Sequence, residues 1–196
     1  FKKRLIALIG NAAHFVEIKT FHSYCFDLLG RIGTVEKSEH VIAETVKKIN
    51  DRDVEISRIT KTVLVIDEAQ DMDKNEFALV NALIDQNEDM RVIAVGDDDQ
   101  NIYAFRGSDS KYLQEFKTKR AAKLYELTEN YRSLENLIAF SNAFVKRISH
   151  RLKTTPITAK RHGNGTLRIV KHSGGHLITP LVNDVTSTGL TGSTCV

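Results

Sequence analysis

Apolar runs rich in β-branched residues alternate along the chain with segments whose apolar positions recur every three or four residues. The run at residues 63–66 is apolar throughout, which is typical of a strand buried on both faces of a parallel sheet. Further strands are predicted at 91–95 and 124–127, and polar residues follow each of them. The repeated order of strand, polar loop and helix predicts an α/β fold with a parallel sheet.

Helix-capping residues mark the starts of two predicted helices. Thr20 is predicted to cap a helix that ends near Gly30 or Gly33, and Asp73 and Glu76 form a capping pair for a helix that carries Leu83. Other predicted elements are a helix at 5–9, a strand at 15–19, a helix at 41–49, a helix from Ser133 to 148, a strand at 166–170 and a helix at 181–185. A shift toward Thr, Gly and Lys near residue 154 indicates the start of a second domain.

Two carboxylates follow the central apolar run directly, at Asp67 and Glu68. Ligands of open α/β sheets bind beyond the carboxyl ends of the strands. Acidic side chains at such a position are costly unless they hold a cation or take part in proton transfer. An Asp67 that binds Mg²⁺ and a Glu68 that orients or deprotonates a water are therefore favoured over an exposed acidic turn.

The segment G-D-D-D-Q follows the second predicted strand, at residues 96–100. Gln100 could sense a γ-phosphate or position a water at the same edge of the sheet. Alternatively, Asp97, Asp98 and Asp99 form a second metal site or a solvent-exposed loop. Taken alone, the segment favours the exposed loop.

Two groups combine aromatic rings with arginine. Tyr103, Phe105 and Arg106 follow the second strand, and stacking of a base on an aromatic ring contributes about 1–3 kcal/mol for any base. Tyr131 could stack on a purine and Arg132 could meet a phosphate. The alternatives are that the first pair of rings belongs to the core and that the second group is an ordinary helix start capped by Ser133.

Composition and charge narrow the class of protein. The 196 residues are 41% hydrophobic and carry a formal net charge of +3, which is compatible with a nucleic-acid partner without indicating one. For the basic stretch at 146–153 two alternatives stay open: contact with DNA, or contact with water alone. Cys25 and Cys195 have neither metal-ligand spacing nor a disulfide framework, and no apolar run approaches the ~20 residues of a membrane span. Because the chain starts at Phe1 without an initiating methionine, we expect it to be a piece of a longer protein.

Four motifs occur in an order that resembles that of the UvrD/Rep/PcrA-like superfamily 1 DNA helicases. They are T-F-H-S-Y-C at 20–25, V-I-D-E-A-Q-D at 65–71, V-G-D-D-D-Q-N-I-Y-A-F-R-G-S-D at 95–109 and L-T-E-N-Y-R-S at 127–133. The resemblance implies a RecA-like parallel sheet of the P-loop NTPase type, flanked by helices and incomplete. Residues 1–128 would be part of a first RecA-like domain, and residues 129–196 the beginning of a second.

The resemblance also implies an activity. The parent protein would be an ATP-dependent 3′→5′ DNA helicase or translocase that couples hydrolysis of ATP, with Mg²⁺, to movement on single-stranded DNA. It would also act at duplex junctions, and it would take part in DNA repair or recombination. It would be a bacterial-type protein of the cytoplasm, associated with the nucleoid and without a membrane partner.

Roles for the nucleotide-site residues follow from their positions in the matching motifs. Asp67 would bind Mg²⁺ and Glu68 would be the catalytic base. Gln100 would link the γ-phosphate to DNA movement. Tyr131 would stack on the adenine, and Arg132 would contact the γ-phosphate.

The DNA path would be lined by residues of the first and third motifs. These are Thr20, His22, Tyr103, Phe105 and Arg106. Phe105 stands where many members of the family carry a tryptophan, so its stacking surface is smaller.

The chain departs from the family in lacking the phosphate-binding loop G-x-x-x-x-G-K-[ST] and the later motifs. The accessory insertion before residue 65 is also minimal. We therefore expect this chain alone to hydrolyse little ATP. Two alternatives stay open: a non-catalytic nucleic-acid-binding or interaction module with a degenerate helicase fold, and a metal-dependent nuclease that uses Asp67, Glu68 and Asp97.

Overall fold

The strands β1 (Val63–Ile66) and β2 (Arg91–Ala94) form a parallel pair in the computed structural model. The structure describes residues 2–30, 40–149, 151–168, 171, 173–176 and 178–187. The register matches Val63 with Arg91 and Ile66 with Ala94. Both predicted strands and their parallel pairing are confirmed.

One face of this sheet carries the apolar packing. Leu64 and Ile66 join an apolar cluster with Phe77 and Phe116, whereas Val63 is 48% exposed and Val65 is 60% exposed. The prediction of a strand buried on both faces is therefore wrong for the described residues. Successive strand side chains point to opposite faces, and the described helices cover one of them.

Eight α-helices are described, and their bounds match most of the predicted helical patterns. They are α1 (Lys2–Ile9), α2 (Phe21–Leu28), α3 (Val41–Asn50), α4 (Ile56–Ile59), α5 (Lys74–Asp85), α6 (Lys111–Lys119), α7 (Glu135–Phe144) and α8 (Ile178–Ser187). Short 3₁₀ helices span Gly10–Phe15, Ala69–Asp71, Asp98–Gln100, Ala104–Arg106 and Val145–Arg147. None of the described helices has the length and apolar character needed to cross a membrane.

The predicted caps of α2 and α5 are confirmed. The Thr20 side chain accepts a hydrogen bond from the Ser23 N–H at 3.2 Å, which satisfies a donor at the start of α2. At the start of α5, Asp73 accepts from the Glu76 N–H at 2.8 Å, and the Glu76 carboxylate accepts from the Asp73 N–H at 3.1 Å. This reciprocal capping box directs the chain into α5 immediately after the acidic loop.

Two predicted strands are wrong. Phe15 closes a 3₁₀ helix, and residues 16–20 pair with no described strand. Residues 121–128 form no regular element, and Leu127 is 83% exposed. The apolar residues in both segments lack a neighbouring described strand to supply hydrogen bonds, and without one the alternation does not produce a strand.

The next strand, β3, is Glu129–Leu134 and pairs in parallel with β4 (Thr158–Arg161). Ser133 therefore lies in a strand, and α7 begins at Glu135, so the prediction of Ser133 as a helix cap is wrong. Residues 166–168 are irregular, and the rest of the strand predicted at 166–170 lies outside the described residues. The helix predicted at 181–185 is confirmed within α8.

The chain forms two compact units. Unit 1 comprises Phe1–Leu127 and Val145–Pro156, and unit 2 comprises Thr128–Phe144 and Ile157–Val196. Two apolar clusters occupy unit 1: one packs α2 and α3 on α5, and the other packs β1 on α5 and α6. Cys25 is a free, buried thiol in the first cluster, and Cys195 lies outside the described residues. The chain is thus a mixed α/β protein with small parallel sheets.

Candidate functional site

The acidic loop after β1 holds Glu68 in a left-handed backbone conformation, with φ 50° and ψ 44°. For a residue other than glycine this conformation costs about 1–3 kcal/mol and persists where the surroundings enforce it. The Asp67 carboxylate accepts a hydrogen bond from the Glu68 N–H at 3.1 Å. Both side chains are exposed, so the two predicted acidic residues lie together at the carboxyl end of β1 and face solvent.

Gln70 joins this loop to the loop after β2, and sequence reasoning did not single it out. Its side chain is almost fully buried, at 2% exposed. The amide nitrogen donates to Glu68 Oε2 at 2.9 Å, and the amide oxygen accepts from the Asp97 N–H at 2.9 Å. Asn101 Nδ2 donates to the Gln70 carbonyl oxygen at 2.8 Å. The glutamine within D-E-A-Q-D is the signal that could have identified it.

Gly96 permits this close approach of the two loops. A Cβ atom at Gly96 would lie 2.6 Å from Gln70 Oε1 and 3.0 Å from the Gln70 backbone nitrogen. Because Gln70 is buried and bonded on both sides, it has no space to retreat. The sequence therefore needs glycine here for space.

We expect Gly96→Ala to lower the free energy of unfolding by about 1–3 kcal/mol, as overpacking does in well-packed sites. Urea denaturation followed by circular dichroism measures the change. Gly175→Ala is the matched control, because a Cβ there meets nothing within 4 Å. Equal stability of the two variants would contradict the tight contact between the loops.

Two of the three aspartates after β2, Asp97 and Asp99, form ion pairs with cationic side chains, and Asp98 accepts the Leu152 N–H. Asp99 accepts two hydrogen bonds from Arg151, at 2.6 and 2.7 Å, which hold the pKa of the Asp99 carboxyl below its ordinary value. Lys153 Nζ lies 2.6 Å from Asp97 Oδ1. Although Asp97, Asp98 and Asp99 are close enough together to share a cation, Arg151 and Lys153 already supply positive charge there. These contacts indicate that the loop is bound by other parts of the protein. They favour neither of the two predicted alternatives, a second metal site and a solvent-exposed acidic loop.

Gln100 lies at the end of this loop, in the 3₁₀ helix Asp98–Gln100. Its amide nitrogen donates to Asp97 Oδ2 at 2.7 Å. The side chain of Gln100 is exposed, so its amide oxygen can meet a ligand. Hydrogen bonds through Asp97 and Gln70 thus connect Gln100 to Glu68 in the acidic loop.

The aromatic residues that follow are exposed, so the core alternative is wrong for both. Phe105 is 79% exposed and Tyr103 is 39% exposed, with ring centroids 6.2 Å apart. The Arg106 guanidinium carbon lies 5.4 Å from the Tyr103 centroid and 5.5 Å from the Phe105 centroid, within cation–π range. The segment forms a 3₁₀ turn, which groups the rings with the guanidinium.

Thr20 and His22 lie at the amino-terminal end of α2 in unit 1. The Thr20 hydroxyl is used as the helix cap. His22 is exposed in the first turn, so a buried structural role for it is excluded. Burial raises the pKa of the Glu76 carboxyl, and the nearby His22 is among the groups that oppose this rise.

Tyr131 and Arg132 lie on β3 in unit 2. Tyr131 is 69% exposed, and its hydroxyl donates to the Glu129 carboxylate, which raises the pKa of the tyrosine. The Arg132 carbonyl oxygen accepts from Arg161 at 2.7 Å, and this bond ties β3 to β4. The Arg132 side chain is exposed and forms no ion pair with a described residue.

Comparison with known proteins finds similarity to DNA helicases. Residues 42–121 match the UvrD/REP helicase N-terminal domain. The chain is 34% identical over 92 residues to DNA helicase II of Escherichia coli, covering 46% of this chain and 12% of that protein. It is 35% identical over 100 residues to the ATP-dependent DNA helicase PcrA of Staphylococcus epidermidis, covering 50% of this chain and 13% of that protein.

A third similarity extends over more of the chain. A protein of Acanthamoeba polyphaga mimivirus, named as a candidate ATP-dependent DNA helicase, is 31% identical over 180 residues. The match covers 86% of this chain and 24% of the mimivirus protein. The chain therefore spans between about an eighth and a quarter of the length of these relatives.

Proposed function

Residues 42–121 of this chain belong to the UvrD/REP helicase N-terminal domain family, and on that premise we propose that the protein couples ATP hydrolysis to 3′→5′ movement on single-stranded DNA. The observation that carries the proposal is the buried Gln70 bridge. Through it the acidic loop of Glu68 and the loop of Asp97 form one hydrogen-bonded network. That second loop leads directly into Gln100 and the exposed aromatic turn.

The two units are proposed to be parts of two RecA-like domains. In unit 1, parallel strands that end in acidic and polar loops support this assignment. In unit 2, the parallel pair β3 and β4 packs with α7. A role in DNA repair or recombination, action at duplex junctions and a place in the cytoplasm stay predictions of the family resemblance.

The carboxylates at the end of β1 suit Mg²⁺. One oxygen of Asp67 accepts the Glu68 N–H, and the other has no hydrogen-bond partner among the described residues. Magnesium prefers hard oxygen ligands and is usually bound through one or two carboxylates plus phosphate oxygens. We propose Asp67 as the protein ligand, and the ion when bound would neutralise charge on the phosphates of ATP.

Glu68 is the proposed general base. The Gln70 amide donates to one carboxylate oxygen, which fixes the side chain and leaves the second oxygen to accept a proton from the attacking water. Gln100 is proposed to report the γ-phosphate, because its amide is anchored on Asp97 in the adjoining loop.

Two residues of β3 are proposed to bind ATP. We propose that Tyr131 stacks on the adenine and that Arg132 neutralises charge on the γ-phosphate in the transition state. Exposure of the Tyr131 ring and the absence of an ion pair to Arg132 among the described residues support these roles. The bond from Arg161 to the Arg132 carbonyl would hold the backbone of Arg132 in place.

Single-stranded DNA is the proposed ligand of the exposed turn. Tyr103 and Phe105 offer stacking surfaces, and Arg106 offers a positive charge beside them. Thr20 and His22 are proposed to lie along the same strand of DNA. His22 is exposed at a helix amino terminus, where backbone N–H groups favour phosphates.

The test measures ATP hydrolysis and oligonucleotide binding by the complete gene product that contains this chain. We expect Mg²⁺-dependent hydrolysis that single-stranded DNA stimulates, and displacement of a duplex that carries a 3′ single-stranded tail. DNA binding without hydrolysis would support the non-catalytic module instead. Cleavage of DNA with Mg²⁺ but without ATP would support the nuclease, which the cationic partners of Asp97 and Asp99 disfavour.

A further inference from the structure

A segment distant in sequence lies on the loop after β2. Residues 151–155, which we name the strap, belong to unit 1 together with that loop. The helix predicted from Ser133 to 148 ends earlier: Val145–Arg147 is a 3₁₀ turn, and the described residues 151–153 form no regular element. Arg151 meets both oxygens of the Asp99 carboxylate, at 2.6 and 2.7 Å. Contact with DNA and contact with water alone were the predicted alternatives for the basic stretch at 146–153. Neither describes Arg151, whose side chain binds Asp99 of the same chain.

Every aspartate of the loop contacts the strap. Lys153 Nζ lies 2.6 Å from Asp97 Oδ1 and 3.1 Å from Asp99 Oδ2. The Leu152 N–H donates to Asp98. The Asp99 side chain is 7% exposed and that of Lys153 is 17% exposed, so solvent screens these pairs less than it screens surface ion pairs.

Asp97 connects the strap to Gln100. Its Oδ1 atom meets Lys153 and accepts the Asp99 N–H, while its Oδ2 atom accepts the Gln100 amide at 2.7 Å. Three adjacent carboxylates would repel one another if the cations were absent. Removing Arg151 and Lys153 would therefore free Asp97 to rotate, and Gln100 would lose its fixed acceptor.

The far end of the strap is also held. Glu126 accepts hydrogen bonds from the Thr154 N–H at 3.2 Å, the Thr154 hydroxyl at 3.1 Å and the Thr155 N–H at 3.0 Å. Hydrogen bonding by the Thr155 side chain, followed by the Thr154 and Thr155 backbone N–H groups, lowers the pKa of Glu126 to about 2. The strap thus has an anchor on each side of Leu152, which restricts Arg151 and Lys153 to a defined place on the loop.

We propose that Arg151 and Lys153 are positioning residues that fix the side chain of Gln100 through Asp97 and Asp99. The inference rests on the proposed function, because it assigns to Gln100 the task of coupling the γ-phosphate to DNA. It adds two residues from outside the four motifs to that task. Their contribution is to orientation, and neither touches the reacting atoms.

The first test compares steady-state hydrolysis of ATP, with single-stranded DNA present, for the complete gene product and its variants. We expect the double variant Arg151→Met/Lys153→Met to lose about tenfold in kcat, as small displacements of catalytic groups do, with KM for ATP and the Kd for DNA changed less than about twofold. The kcat of Arg151→Lys should fall between those of the wild type and the double variant, because lysine keeps the charge but cannot bind Asp99 in bidentate fashion. Arg147→Met is the matched control, since Arg147 is exposed and has no ion pair with a described residue.

A double-mutant cycle shows whether the two cations act through Gln100. In a Gln100→Ala background, the Arg151→Met/Lys153→Met change should cost less than about twofold further, because the group that it positions is gone. Losses that multiply across the two backgrounds would overturn the inference. Such multiplied losses are what a general structural effect would produce, because it would lower kcat by the same factor in both backgrounds.

Hydrogen exchange tests the arrangement without any activity. The amide N–H groups of Asp99 and Leu152 are bonded to carboxylates of the loop, and we expect them to exchange about tenfold faster in the double variant than in Arg147→Met. Unchanged exchange would overturn the inference. Absence of hydrolysis by the wild type would contradict the proposed function, while exchange would still decide whether the strap holds the loop.

Discussion

Glu68→Gln is expected to lower the rate of DNA-stimulated ATP hydrolysis by about 10²–10⁴-fold, the range that a general base contributes. Glutamine has the size of glutamate but cannot take a proton from water. The variant should still bind nucleotide and DNA, because Asp67 and the aromatic turn are unchanged. Single-turnover hydrolysis with radiolabelled ATP measures the loss and separates chemistry from product release.

The structure of the loop indicates that Glu68→Gln removes the proton acceptor without disturbing the rest of the loop. Glutamine can keep an oxygen acceptor for the Gln70 amide, which donates to Glu68 at 2.9 Å. It also meets the same left-handed backbone as glutamate, so we expect the free energy of unfolding to change by less than about 0.5 kcal/mol. Glu88→Gln, at an exposed glutamate outside the acidic loop, is the charge-matched control. Activity of Glu68→Gln equal to that control would remove Glu68 from the chemistry.

The local part of the fold could be predicted from sequence. The start of α5 is an example, because the capping box needs residues Asp73 and Glu76 alone and lies within one turn of helix. The strand β1 is another, since a run of only four apolar residues, three of them β-branched, is too short for a typical helix and suits a strand. The position of Asp67 and Glu68 followed from where that strand ends.

Features that depend on distant partners could not be predicted in the same way. Residues 124–127 have a strand-like composition but no described partner strand, whereas β4 (Thr158–Arg161) is polar and forms because β3 pairs with it. The burial of Gln70 depends on the approach of Gly96 from another loop. The Arg151–Asp99 pair joins residues more than fifty positions apart, a separation that no periodicity reveals.

Replacing both aromatic residues of the exposed turn is expected to weaken binding of single-stranded DNA by about 10²-fold or more. Each stacked base contributes about 1–3 kcal/mol by alanine substitution, and 1.4 kcal/mol corresponds to about tenfold in Kd. Tyr103→Ala/Phe105→Ala removes both stacking surfaces and also the cation–π partners of Arg106. Fluorescence anisotropy of a labelled oligothymidine measures the change in Kd.

A graded series distinguishes stacking from a general surface effect. Phe105→Trp should tighten binding relative to the wild type, because the indole is a larger stacking surface and Phe105 is 79% exposed with room to enlarge. Tyr125→Ala is the matched control, since Tyr125 is a 72% exposed tyrosine of unit 1 outside the turn.

Salt dependence then separates the rings from the guanidinium. Arg106→Met should reduce the slope of log K against log salt by about 0.7, as expected for the loss of one phosphate contact on a single strand. The two alanine substitutions should leave that slope unchanged, because stacking releases no counterions. Binding that weakens equally in Tyr125→Ala and in Tyr103→Ala/Phe105→Ala would show that the turn is not the stacking surface, and would place the DNA elsewhere on the protein.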